Sequence, residues 1–86
     1  MTTNQMRDKI RDFILQNYLF TTDPAALGLD DSLLERGIVD SSGMMEIIFF
    51  IEEQLGVAMR EDEMIPDNLD SVNKIARFVH ARLQGA

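Results

Sequence analysis

Cysteine and tryptophan are absent from this chain, and histidine occurs once, at His80. Without cysteine there is no disulfide, no thiolate metal site and no thiol nucleophile supplied by the polypeptide. Basic residues are scarce: eight lysines and arginines stand against fifteen aspartates and glutamates, for a formal net charge of -7. Nucleic acid needs a basic surface to meet its phosphates, so this charge argues against such a partner. It argues equally against anionic lipid and favours partners with basic surfaces, met by electrostatic steering. Long apolar runs are lacking too. The longest, Ile47 to Ile51, is far too short to span a membrane. The opening Met-Thr-Thr-Asn-Gln is polar, with no apolar leader stretch behind it. The default expectation is a cytoplasmic monomer with no membrane insertion.

What is present fits one small domain over residues 1–86, with 45% hydrophobic residues and room for a single core. A first helix is expected after Thr2, whose spacing to Gln5 is that of a capping box; Thr3 is the other candidate cap. Met6, Ile10, Phe13, Ile14 and Tyr18 recur at helical intervals, and Arg7, Asp8, Lys9, Arg11 and Asp12 fill the other face. From about Leu19 to Val39 no period holds. Pro24, Gly28 and Gly37 punctuate this stretch, and its leucines should pin it to the core. Asp31 to Glu35 reads as one helical turn. A second helix should start at Asp40 or Ser41 and stop before Gly56, with Met44, Ile48, Ile51 and Leu55 as its buried stripe and Ile47 widening it. Met45, Phe49 and Phe50 make it more apolar than one stripe requires. Pro66 opens a short helix, and Asp70 or Ser71 caps a last one with core residues Val72, Ile75, Phe78 or Val79, and Leu83. The expected fold class is all-α: a four-helix bundle of three main helices and one short one, with a long loop between the first two.

Conventional catalytic constellations are missing. His80, near the C-terminal end of the last helix, reads as a solvated surface residue, and no nucleophile is placed with it by spacing. The acidic groups Asp30, Asp31, Glu35 and Glu61, Asp62, Glu63 lack the spacing and turn glycine of a calcium loop, so no metal site is expected. No phosphate-cradling glycine motif occurs. No catalytic residue is therefore assigned.

One segment stands apart: Leu33-Leu34-Glu35-Arg36-Gly37-Ile38-Val39-Asp40-Ser41, followed by an amphipathic helix that closes with Glu52-Glu53-Gln54-Leu55-Gly56. It resembles the core of the acyl and peptidyl carrier proteins: a glycine, a short spacer, Asp-Ser, then a helix ending in an acidic pair and a hydrophobic-glycine step. The resemblance runs on through Asp70-Ser71-Val72 and the last helix to Leu83. It implies that Ser41 receives a 4'-phosphopantetheine arm from coenzyme A, through a Mg2+-dependent phosphopantetheinyl transferase, with Asp40 as motif residue and helix cap. The thiol of that arm supplies what a cysteine-free chain lacks, and an acyl or aminoacyl group rides on it as a thioester. Ser42, Met45, Glu46, Phe49, Glu52 and Glu53 are then the expected partner-binding face.

The chain departs from the family where a large apolar residue commonly follows the modified serine; here Ser42 and Gly43 follow it. Gly43 is expected either to loosen the helix start or to let a partner approach closely. The form Leu-Leu-Glu-Arg-Gly-Ile-Val-Asp-Ser resembles free-standing specialised carriers more than the housekeeping fatty-acid carrier. That implies loading by an AMP-forming acyl or aminoacyl ligase and a downstream acyltransferase or synthase, in fatty-acid or specialised lipid synthesis. The competing reading is an unmodified helical adaptor that binds a protein partner through the second helix.

Overall fold

The first helix starts where its capping-box spacing places it. The computed structural model describes residues 2–85, and α1 spans Thr3–Ile14 with Thr2 as N-cap. The Thr2 hydroxyl accepts from the Gln5 N–H at 3.1 Å and the Gln5 side chain accepts from the Thr2 N–H at 2.9 Å, so two otherwise orphaned donors are satisfied. Met6, Ile10 and Ile14 are buried as their spacing requires. The helix then widens into a π-helical turn over Leu15–Leu19. That extra residue per turn brings Leu15 into the core as well. Phe20 ends the turn in the left-handed region, at φ 54°, with its ring 84% exposed, a backbone state that costs a residue with a side chain roughly 1–2 kcal/mol.

The long connection that follows is irregular but anchored. A 3-10 turn at Pro24–Ala26, capped by the Asp23 side chain on the Ala25 N–H, was not foreseen in the sequence. The expected turn near Asp31–Glu35 is present as a bond from the Arg36 N–H to the Ser32 carbonyl. Leu27, Leu33 and Val39 are buried along the way.

Helix α2 spans Ser41–Gln54, α3 Pro66–Leu69 and α4 Val72–Gly85. Gly56, at φ +70°, takes the left-handed conformation that turns the chain away from the end of α2. The acidic run Glu61–Glu63 forms a 3-10 turn, and Pro66 opens α3 at a position where its missing N–H costs nothing. Of the two candidate caps of α4, Ser71 does the capping: its hydroxyl accepts from the Lys74 N–H at 3.1 Å. Three helices of three turns or more and one short helix, with no strand among the described residues, make the expected all-α bundle. No described helix is long and apolar enough to cross a membrane.

Helix α1 packs on α4, and α3 packs on α4. Helix α2 stands further off and is joined to the rest through side chains: the Phe50 ring stacks on Phe13 with centroids 4.2 Å apart, and Ile47, Ile48 and Ile51 reach the common core. Two core assignments need correction. Ile47, expected only to widen the stripe, lies at its centre and is fully buried, while Met44 is only half-buried. Leu83, expected in the core, is 50% exposed: it follows His80, which already meets Thr3 at the very start of α1.

Candidate functional site

Asp40 is the N-cap of α2, and its carboxylate accepts from the Gly43 N–H at 2.9 Å. Ser41 is thereby fixed as the first helical residue, with its side chain exposed. The opening N–H groups of a helix have no intrahelical partner, and the macrodipole is positive at this end. An anion attached at Ser41 gains roughly 0.3–1 kcal/mol from that field when exposed.

Gly43 behaves differently from either expectation. It is buried, and a β-carbon on it would sit 3.1 Å from Val39 Cβ and 3.4 Å from Tyr18 Cε1. The helix start is therefore pressed against the preceding loop and the π-helical turn that follows α1, and Gly43 is covered rather than open to a partner. Tyr18 completes the contact by donating its hydroxyl proton to the Gly43 carbonyl at 3.2 Å. Burial, reinforced by the nearby carboxylates of Glu46 and Asp40, pushes the Tyr18 phenol up to about 12, so it remains a donor throughout the neutral range. In the sequence Tyr18 is only the last member of a stripe; its contact with a residue twenty-five positions on has no local signal.

Ser41 is the shared wall of two recesses. On one side lies an apolar groove of about 250 Å³ between α2 and α3, walled by Leu34, Met44, Met45, Ile48, Met64 and Leu69. The three methionines give it unbranched, deformable walls. On the other side is a shallow depression of mixed character, where Asp40, Ser42 and Glu46 stand beside Leu34, Ile38 and Val39. The residues present therefore fit a phosphodiester with a long attached chain: an exposed hydroxyl at a helix N-terminus, with an apolar groove on one flank.

The six residues expected to face partners are all exposed. At the helical advance per residue, Ser42, Met45, Glu46, Phe49, Glu52 and Glu53 share one arc of about 120°, opposite Ile47 and Ile51. Met45 is 57% and Phe49 64% exposed. Phe49 together with Glu46, Glu53 and Phe50 also edges a groove against Phe13 of α1 and Asn17 of the π-helical turn after it.

The long loop is held beside Ser41 by a contact sequence reasoning missed. Asp70, freed from capping α4 by Ser71, accepts from the Ser32 hydroxyl at 2.6 Å and from the Leu34 N–H at 2.9 Å, while its backbone carbonyl accepts from the Leu33 N–H at 2.9 Å. This is what places Leu34 at the groove mouth. Two adjacent cap-forming residues, Asp70-Ser71, leave one free for other work, and that redundancy is the only sequence signal. Among the described residues no cluster of three metal-ligating side chains occurs.

A family model described as a phosphopantetheine attachment site matches residues 19–79. The match spans the loop, α2, α3 and most of α4. No curated protein matches the chain.

Proposed function

The chain belongs to the phosphopantetheine attachment site family, whose members hold 4'-phosphopantetheine covalently, and from that membership we propose that Ser41 is the residue that bears the arm. The observation that carries this reading is the position of Ser41: exposed, first in α2, capped by Asp40, and bordering both the apolar groove and the shallow depression beside it. Ser42 shares only the depression. The arm supplies a thiol, and with it a thioester for acyl or aminoacyl cargo.

The remaining chemistry falls to the chain's own groups. Asp40 holds the first turn closed, so the hydroxyl of Ser41 is presented in one place. The N-terminus of α2 stabilises the phosphodiester charge. The groove edged by Leu34 and Met64 offers apolar surface to the far end of a chain that starts at Ser41. Ser42, Met45, Glu46, Phe49, Glu52 and Glu53 form the docking face. Its carboxylates steer basic enzymes in, while Met45 and Phe49 supply the apolar contact. The partners proposed are a phosphopantetheinyl transferase, an AMP-forming acyl or aminoacyl ligase that loads the thiol, and an acyltransferase or synthase that unloads it. The carrier itself does no bond-making catalysis in this scheme.

Intact-mass measurement after incubation with coenzyme A, Mg2+ and a broad-specificity phosphopantetheinyl transferase tests the assignment. The expected result is one added arm, lost completely in Ser41→Ala and retained in Ser42→Ala. Retention in Ser41→Ala with loss in Ser42→Ala moves the site to Ser42. Loading of the arm-bearing protein by an adenylating ligase, ATP and a carboxylic acid tests the rest.

A further inference from the structure

Four of the six arginines are paired with a carboxylate, whereas neither Lys9 nor Lys74 has an ion pair among the described residues. Arg11 pairs with Asp8 at 3.1 Å, Arg36 with Asp31 at 2.7 Å, Arg60 with Asp62 at 3.3 Å and Arg82 with Glu63 at 2.6 Å. Arg7 and Arg77 are the two arginines with no ion pair among the described residues, despite fifteen acidic residues in the chain. They are far apart in sequence, on α1 and α4, yet they line the same recess of about 390 Å³, together with Thr3, Asp30, Asn73 and His80. That volume lies within the roughly 300–1,000 Å³ usual for small-molecule sites.

The groups around the recess are arranged with donors to spare. Arg7 spends one Nη1 bond on the Asn4 side chain at 2.8 Å; its Nε, like that of Arg11 outside the recess, is buried with no partner. Arg77 is exposed and makes no side-chain hydrogen bond among the described residues. His80 is half-buried, not the solvated residue its position suggests, and its Nδ1 lies 3.3 Å from the Thr3 hydroxyl. That contact orients the ring in the recess wall. Asp30 is the single carboxylate there, and one of its oxygens already accepts from the Asn73 amide at 2.8 Å. Two permanent positive charges with fork-shaped donors thus outnumber one negative charge whose hydrogen-bonding capacity is partly used. A guanidinium group matches the planar, multi-oxygen edge of a carboxylate or phosphate, and both arginines line this recess.

We infer that the α1–α4 recess is a binding site for a small oxyanion, a phosphate- or carboxylate-bearing molecule, held by Arg7 and Arg77 with His80 and Thr3 alongside. It is separate from Ser41, since none of its lining residues belongs to either recess that Ser41 borders.

Titration of the 15N-labelled full chain at low ionic strength tests it, with inorganic phosphate in one arm, succinate in a second and chloride at matched ionic strength in a third. The expected result is saturable movement of the Arg7 and Arg77 Nε–H signals and the His80 ring with phosphate or succinate, and none with chloride. The tighter of the two identifies phosphate or carboxylate as the natural group. Arg77→Gln and, separately, Arg7→Gln should each weaken binding tenfold or more. Arg77 is exposed, so its replacement leaves the fold intact. Ser41→Ala should bind unchanged, which keeps this result independent of the arm assignment. Equal response to chloride, shifts spread over Arg36 and Arg60 as well, or an unaltered affinity in Arg77→Gln overturns the site.

Discussion

The segment before Ser41 and the helix after it are held by different forces. From Leu19 to Val39 the chain is fixed at points: three buried side chains, Leu27, Leu33 and Val39, and a handful of hydrogen bonds, of which those to Asp70 are the most concentrated. Helix α2 is fixed along its length by aliphatic packing through Ile47, Ile48 and Ile51. The lesson is that Ser41 sits on a junction. Its helix is held by distributed contact, while the loop that shapes the groove mouth beside it is held at separate points, with Asp70 carrying the bonds nearest Leu34. The same contrast recurs within α2. Its inner face is consumed by the core, and its outer face carries Met45 and Phe49 with nothing over them.

The largest expected effect breaks the packed side. Ile47→Ala should lower unfolding free energy by about 2–5 kcal/mol, because a fully buried side chain leaves a cavity, whereas Phe49→Ala should stay within about 0.5 kcal/mol of the parent. Urea denaturation measures both. Docking through the outer face further predicts that Phe49→Ala slows arm attachment at unchanged stability; equal losses of stability in the two variants would erase the distinction between the faces.

The next effect tests the pinned side. Asp70→Ala removes the acceptor of the Ser32 hydroxyl and of the Leu34 N–H, and should cost about 2 kcal/mol. Hydrogen exchange should accelerate at Leu34 while the Ile48 and Ile51 amides in α2 change much less. Uniform acceleration through α2 would mean that loop and helix are one cooperative unit.

The smallest effect concerns the connection after α2, where Glu63 follows the loop's rule of attachment at points. Its carboxylate accepts from Arg82 Nη1 at 2.6 Å and from the Arg60 N–H at 2.9 Å. Those bonds, the Arg82 one foremost, hold its pKa below the ordinary value of 4.5. A depressed folded-state pKa stabilises the fold above the unfolded value and loses that contribution as pH falls through the folded one. The contribution is therefore complete at neutral pH and fades below about 4.5. Glu63→Gln should show a slightly flatter fall in stability on acidification, read from thermal melts between neutral pH and the acid range.

Much of this was legible in the residues. The Thr2 cap, the start of α2 at Asp40-Ser41, the stop at Gly56 and the Pro66 helix all depend on contacts within a few positions, and local spacing reports those well. The exposure of Met45 and Phe49 was legible only through the family resemblance, since the apolar pattern of α2 by itself fits their completing the core. Other features were not. Ile47 and Met44 are both plausible stripe members, and the choice between them depends on where α1 and α4 lie. Leu83 continues a valid period beyond the reach of its neighbours. Gly43 looks like a loose start or an opening until Val39 and Tyr18 are seen against it.

By itself, then, the sequence determined four helical segments, an exposed serine at the head of the second, an acidic surface and the family to which these belong. Tertiary structure decided which apolar faces the core would use, that Asp70 would hold the loop rather than cap a helix, and that Arg7 and Arg77 would share one recess. The division has a physical reason. Caps, turns and helical faces arise from neighbours along the chain, whereas partners dozens of residues apart are chosen only when the helices pack.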